Sequence, residues 1–226
     1  HEHIASAGEL TDFSLTLKNA SETPSPYVLD AETLDRAQHV DLEGVGRTYI
    51  KRARIIVPSA PHFIDKMPLN FFYAAIIHQA LPNARIICLR RHPADSVLSN
   101  YRQLFATGFS YYNYAYDLAD TAAYYAEFHD LIETFKQQLP ADRFTEVWYE
   151  DVVENLEEEA RRLLKFCGLD WDPHCLTFHR NTAPVATASS VQVREPIYKG
   201  SLGRWKRYRE DLTPALDVLQ ERGLSL

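Results

Sequence analysis

Arg91 and Ser99, eight positions apart in the stretch ARIICLRRHPADSVLSNY (residues 84–101), are the residues of this chain best placed to hold an anion. Ile86, Ile87, Cys88 and Leu89 form an apolar run without a polar break, which reads as a strand buried on both faces of a parallel sheet. The run stops at Arg90 and Arg91. Pro93 then stands where a helix accepts proline as its first residue, since the missing N–H would have no partner there. Asp95 follows in the first turn, where a carboxylate complements the helix dipole. A strand that ends in an arginine and turns into a helix aims free backbone N–H groups and a guanidinium at one place, as α/β proteins do to hold anions. Ser99 lies seven residues past His92, and at about 3.6 residues per turn it returns to nearly the azimuth of the helix start. An arginine and a hydroxyl can therefore face one phosphate-sized group. Two other strand ends repeat the pattern. Lys66 follows HFID and Tyr149 follows FTEVW, each setting a donor or an aromatic where a sheet meets its ligand.

The elements that must position these residues alternate between strand and helix. Residues 1–10, HEHIASAGEL, read as a turn after an element that precedes them, and residues 28–55 as one or two helices with a basic end at Lys51, Arg52 and Arg54. RIIVPSAPHFIDKMP holds a strand ending near Asp65 and Lys66, and Pro68 opens a helix to about His78. A tyrosine-rich loop, read as packing and as lining for an acceptor channel, leads into a long helix that ends before Pro140. RFTEVWYEDV is a third strand, and 152–167 a helix capped by Gly168, with Glu158 and Arg162 at i, i+4. Residues 180–202 lack periodicity and read as a functional loop; a last helix lies near 212–222. The pattern predicts an α/β fold, a parallel sheet flanked by helices with right-handed crossovers, and a crevice at the carboxyl ends of its strands.

The 226 residues, 46% of them apolar, suffice for a real core and are read as a single domain, residues 1–226. A net charge of −7 argues against nucleic acid as a partner, yet six basic residues and one acid lie between Arg194 and Arg209, a candidate anion site. Cys88, Cys167 and Cys175 show no paired spacing, which implies a reducing compartment, read as cytoplasmic, or an incidental set of buried thiols. No apolar run approaches ~20 residues, so no membrane span is expected. His174, Cys175 and His179 match no zinc spacing, and no metal is expected.

Taken together, DKMPLN, LRRHPADSVLSNY, VWYEDVVEN, FCGLDWDP, ASSVQVREPIY and KGSLGRWKRY resemble the sulfotransferases that use 3′-phosphoadenosine 5′-phosphosulfate (PAPS). The resemblance is to the bacterial type often attached to tetratricopeptide repeats, and more distantly to the tyrosylprotein sulfotransferases. It implies a P-loop NTPase-like fold and residue roles. Arg91 and Ser99 match the arginine and serine that hold the cofactor's 3′-phosphate, and Lys199 and Gly200 match the Lys-Gly of the family's RKGxxGxW loop on the same phosphate. Tyr198 stands where the cytosolic enzymes have arginine, Tyr149 matches a tyrosine near the adenine, and Ser189, Gln192 and Arg194 belong to the stretch lining the cofactor, Ser189 near the bridging oxygen. Lys66 matches the lysine that stabilises the transferring sulfuryl group, and Glu9 the general base of the tyrosylprotein enzymes. The family opens with a strand and a loop close to PRSGTT that wraps the 5′-phosphosulfate; HEHIASAGEL resembles the segment just after it, so the N-terminal strand and phosphate loop are expected to be missing, with the chain truncated, proteolysed or incompletely represented.

The implied activity is sulfuryl transfer to a hydroxyl acceptor, whether small molecule, glycan or peptide, without a metal. A non-catalytic relative that binds a nucleotide or partner is the alternative; a kinase is disfavoured because no GxxxxGK[ST] loop is present. Oligomeric state is open, a homodimer included.

Overall fold

Short strands and helices alternate along the chain as the sequence pattern requires, in a computed structural model that describes residues 1–106, 108, 110–181, 195–197 and 199–226. They form two units. The first comprises His1–Ile86, Leu139–Phe144 and Leu163–Pro196; the second comprises Ile87–Gln138, Thr145–Arg162 and Ile197–Leu226.

In the first unit, β1 (Ile4–Gly8) pairs in parallel with β2 (His62–Asp65). Residues 1–10 are thus not the turn the sequence suggests. Ile-Ala-Ser-Ala-Gly has little β-propensity of its own, and its strand character comes from hydrogen bonds to a segment far away in the chain. Helices α1 (Asp12–Ser21), α2 (Ala31–Arg36), α3 (Leu42–Ile56) and α4 (Ala74–Ala80) pack Phe13, Leu17, Leu34, Val45, Tyr49, Ala53 and Ala80 into one apolar cluster. Phe13 and Leu17 stand four apart and share the buried face of α1. Asp30 and Asp41 cap α2 and α3 by accepting from Thr33 N (2.8 Å) and Gly44 N (2.9 Å). Pro68 opens a 3-10 segment, Pro68–Tyr73, rather than regular α-helix, and α4 continues it.

Gly46 is where α3 meets α4 most closely, because a Cβ there would lie 2.1 Å from the carbonyl oxygen of Ala80. Backbone cannot yield as a side chain can. Gly46→Ala is therefore expected to cost about 1–3 kcal/mol of stability through overpacking, read as a lower denaturation midpoint at unchanged slope; an unshifted midpoint would contradict the close approach.

In the second unit, β3 (Ile86–Arg90) pairs with β4 (Phe144–Trp148), and α5 (Pro93–Tyr101), α6 (Leu118–Gln138) and α9 (Thr213–Glu221) enclose a core of Val97, Leu98, Ala122, Ala126, Leu216 and Leu219. The expectation of a strand buried on both faces is corrected here. Ile87 and Leu89 are 40% and 61% exposed, while Arg90 is buried. Side chains alternate along a strand, and among the described residues β3 has one strand neighbour, so its apolar run is covered on one face only. The sheet is correspondingly seen as two small pairs, β1–β2 and β3–β4, flanked by helices.

The helix expected over 152–167 is two helices, α7 (Tyr149–Glu154) and α8 (Leu156–Cys167), broken at Asn155. Gly168 ends α8 in the left-handed region (φ +72°), with Leu169 N donating to Leu164 O at 2.9 Å. Arg162 pairs with Glu159 and reaches Thr145 Oγ1 and Glu146 O, so the predicted Glu158–Arg162 pair is replaced by one that also ties the helix to β4. Among the described residues no helix is long and apolar enough to cross a membrane.

Candidate active site

The chemistry-bearing residues gather in two clusters, one in each unit. In the first, parallel β1 and β2 finish side by side. Their register runs Ser6↔Ile64 and then Gly8↔Asp65, so Ala7 is an extra residue in a bulge. Gly8, at φ +80°, takes a conformation that side-chain-bearing residues rarely adopt, and its carbonyl accepts from Lys66 N at 2.8 Å. The two chains leave the sheet together. The Lys66 ammonium consequently donates to Glu9 Oε1, and both side chains keep solvent access, 57% for Lys66 and 35% for Glu9.

Under this pair lies Asp65. Its Oδ1 accepts from Leu10 N and Met67 N, each at 3.1 Å, and its Oδ2 accepts from the Tyr49 hydroxyl (3.0 Å) and Asn70 Nδ2 (3.2 Å). One carboxylate thus ties the residue after Glu9 to the residue after Lys66. Burial pushes the Asp65 carboxyl up, and the four donors pull it back only in part. Sequence reasoning read Asp65 merely as a strand end. The signal available was an acid immediately before the lysine in HFIDK.

In the second cluster, β3 separates its two arginines. Arg90, 1% exposed, meets Glu146 (2.5 Å), Glu133 (3.2 Å) and His129, with its guanidinium 4.9 Å from the Trp148 ring centre. Lys136 adds a second cation to Glu146 at 2.8 Å. Both Arg90 Nη groups are spent on holding β3, β4 and α6, while its Nε, like that of Arg91, is buried without an acceptor among the described residues. Arg91, on the opposite side of the strand, lies 5.1 Å over the Tyr149 ring, and its Nη2 donates to Ser201 O at 2.6 Å. Tyr125 holds the Arg91 carbonyl with a 2.8 Å hydrogen bond, and Glu150 accepts from His92 N at 2.9 Å. Tyr149 and Ser201 join through their hydroxyls at 2.8 Å. Strand β3 and helix α7 therefore bring Arg91 and Tyr149 against the 3-10 segment Lys199–Ser201, which presents Lys199 and Gly200 to solvent. Ser99 is exposed on α5. Ser189, Gln192, Arg194 and Tyr198 lie outside the described residues.

Among the described residues, Arg91 Nε is a buried donor without an acceptor. A buried unpaired N–H on a cation is costly, and a phosphate oxygen is the acceptor that suits it. The donor set of Arg91, Lys199 and backbone N–H groups thus fits an anionic nucleotide. Cys88 is unsuited to nucleophilic chemistry, since burial pushes its thiol up to about 12 against a weaker pull from Arg90. No group of three or more metal-ligating side chains occurs among the described residues.

A family profile described as the sulfotransferase family matches residues 4–173. A relative from Aquifex aeolicus (strain VF5), named only as an uncharacterized protein, is 34% identical over 80% of this chain and 24% of its own length. A protein-tyrosine sulfotransferase of Drosophila melanogaster is 27% identical over 71% of this chain and 34% of its own. The chain thus spans about a quarter to a third of the lengths of these relatives. Among solved structures, the sulfotransferase domain of the Synechococcus PCC 7002 olefin synthase superposes over 95% of this chain and 75% of that one, with a TM-score of 0.57 at 18% identity, a likeness of fold.

Proposed function

Because this chain belongs to the sulfotransferase family, we propose that it moves a sulfuryl group from PAPS to a hydroxyl acceptor by in-line displacement, with residues 1–226 working as one sulfotransferase domain. The observation that carries the proposal is the Lys66–Glu9 pair, a cation and a carboxylate delivered side by side by the ends of two paired strands. A transfer enzyme needs both. By analogy with phosphoryl transfer, the transition state is loose, so positioning and fixed positive charge supply most of the rate.

PAPS, when bound, supplies the group that is transferred. Lys66 stabilises the charge that builds on the sulfuryl oxygens and the departing phosphate. Glu9 accepts the acceptor's hydroxyl proton as its oxygen bonds to sulfur and the sulfur–oxygen bond to the donor phosphate breaks. Glu9 is hydrogen-bonded to Lys66 here; a sulfuryl oxygen offers the ammonium another partner and leaves the carboxylate free to accept from the acceptor's hydroxyl. Arg91, Ser99, Lys199 and Gly200 hold the 3′-phosphate, and the unsatisfied Arg91 N–H supports that role. Tyr149 adjoins the adenine and holds the Arg91 guanidinium over its ring at 5.1 Å from the centroid. Ser189, Gln192, Arg194 and Tyr198 complete the cofactor set by their place in the family motifs, with Ser189 toward the bridging oxygen. The acceptor class is a hydroxyl on a small molecule, glycan or peptide.

Thermal-shift titration with adenosine 3′,5′-bisphosphate and with ATP tests the donor class. Stabilisation by the bisphosphate at tenfold lower concentration than ATP, about 1.4 kcal/mol of preference, is the expected result. Stabilisation by ATP alone would point to a kinase, and by neither to a non-catalytic relative.

A further inference from the structure

Asp95 makes contacts that its expected service to a helix dipole does not explain. It is 2% exposed, and both of its oxygens are taken by backbone donors of a segment more than a hundred residues downstream: Oδ2 accepts from Gly203 N at 2.7 Å and Oδ1 from Trp205 N at 2.9 Å. No cation is paired with it among the described residues. A buried carboxylate without a counterion is expensive unless backbone N–H groups satisfy it, and here they come from one short stretch. The indole of Trp205 lies on the His92 ring, centroids 5.4 Å apart and planes 20° from parallel, so the same stretch is also seated on the residue before α5.

We propose that Asp95 is a positioning residue for the 3′-phosphate subsite. It clasps residues 203–205 to the start of α5 and so holds Lys199 and Gly200, at the other end of the same segment, beside Arg91. Four hydrogen bonds define the arrangement. Arg91 and Tyr149 grip Ser201 through its carbonyl and hydroxyl, and Asp95 grips the chain two and four residues further on. Gly203 sits between them at φ +60°, the left-handed turn that lets the chain present both of its amides to one carboxylate. A segment fixed at Ser201 and again at residues 203–205 meets the nucleotide with its course already set, whereas one fixed only at Ser201 must be ordered when the nucleotide arrives. Asp95 touches no nucleotide in this scheme; it acts through the segment.

This role rests on the assignment of Arg91 and Lys199 to a 3′-phosphate, and comparing two nucleotides separates the failure of one from the failure of the other. Adenosine 3′,5′-bisphosphate and adenosine 5′-monophosphate, which lacks the 3′-phosphate, are titrated calorimetrically into the wild-type protein and into Asp95→Asn. Asparagine keeps the shape but sets an amide donor against one of the two backbone N–H groups. The expected result is a loss of roughly tenfold or more in bisphosphate affinity with less than about twofold change for the monophosphate. A merely structural role would weaken both nucleotides in parallel, and that outcome, or no loss at all, overturns the proposal. A wild-type protein that does not prefer the bisphosphate overturns the parent assignment and this role with it.

Should Asp95→Asn not fold, Gly203→Ala loosens the clasp from the segment's side. Its Cβ would meet only the Lys206 side chain, no closer than 3.7 Å, so the change acts through φ alone. The same selective loss, about threefold, is expected, and its absence counts equally against the clasp.

Discussion

Arg91→Ala is expected to weaken binding of adenosine 3′,5′-bisphosphate about a hundredfold. Two charge-assisted hydrogen bonds to a phosphate, at about 1.5 kcal/mol each, amount to roughly 3 kcal/mol, and that is the factor of ~100. The structure gives this side chain a reason to bind ligand. Its Nη2 is satisfied by the Ser201 carbonyl, while its Nε is buried without an acceptor among the described residues. Arg91→Lys should recover little, because an ammonium lacks the planar fork and stacks poorly on Tyr149. Arg90→Ala is the informative control. Removing it strips a cation from Glu146 and Glu133 inside the fold, and breaking such a buried pair costs about 3–5 kcal/mol of stability. Calorimetric titration beside thermal melts distinguishes the two arginines: position 91 should lose affinity with little change in melting, and position 90 should lose melting temperature first. An affinity loss under about threefold at position 91 would remove the guanidinium from the phosphate.

Lys66→Met should do the opposite. Its side chain is more than half exposed and, among the described residues, pairs only with Glu9, so stability should change by less than about 1 kcal/mol. Bisphosphate affinity should stay within about threefold of wild type. The rate of donor consumption in a single turnover with a phenolic acceptor should fall about a hundredfold or more, the loss typical when one preorganised donor to a developing charge is removed. The split matters more than the size. Equal loss of affinity and rate would make Lys66 a binding residue, and an unchanged rate would remove it from the reaction.

Both experiments concern residues that local pattern alone could nominate. Pro93 opening α5, Gly168 closing α8, Lys66 after HFID and Tyr149 after FTEVW are legible because each follows from chemistry within a few residues: a missing N–H, a positive φ, a change from alternating to helical spacing. The motifs around Arg91 and Lys199 likewise carried the family resemblance without any coordinates.

The partner of each such residue was a different matter. Nothing in LRR tells the first arginine from the second; the alternation of β3 and the position of Glu146 and Glu133 decide that Arg90 is buried and Arg91 is not. The strand character of residues 4–8 depends on β2, and the exposure of Ile87 and Leu89 depends on how few strands flank β3. Asp65 and Asp95 were invisible as organisers because what they bind is backbone N–H, which every residue but proline carries and which leaves no mark in a sequence. The amino-acid order by itself nominated the side chains that could hold an anion and marked where strands hand over to helices. Only the tertiary structure decided which of them are spent on holding the fold, since that depends on chain segments brought together from far apart.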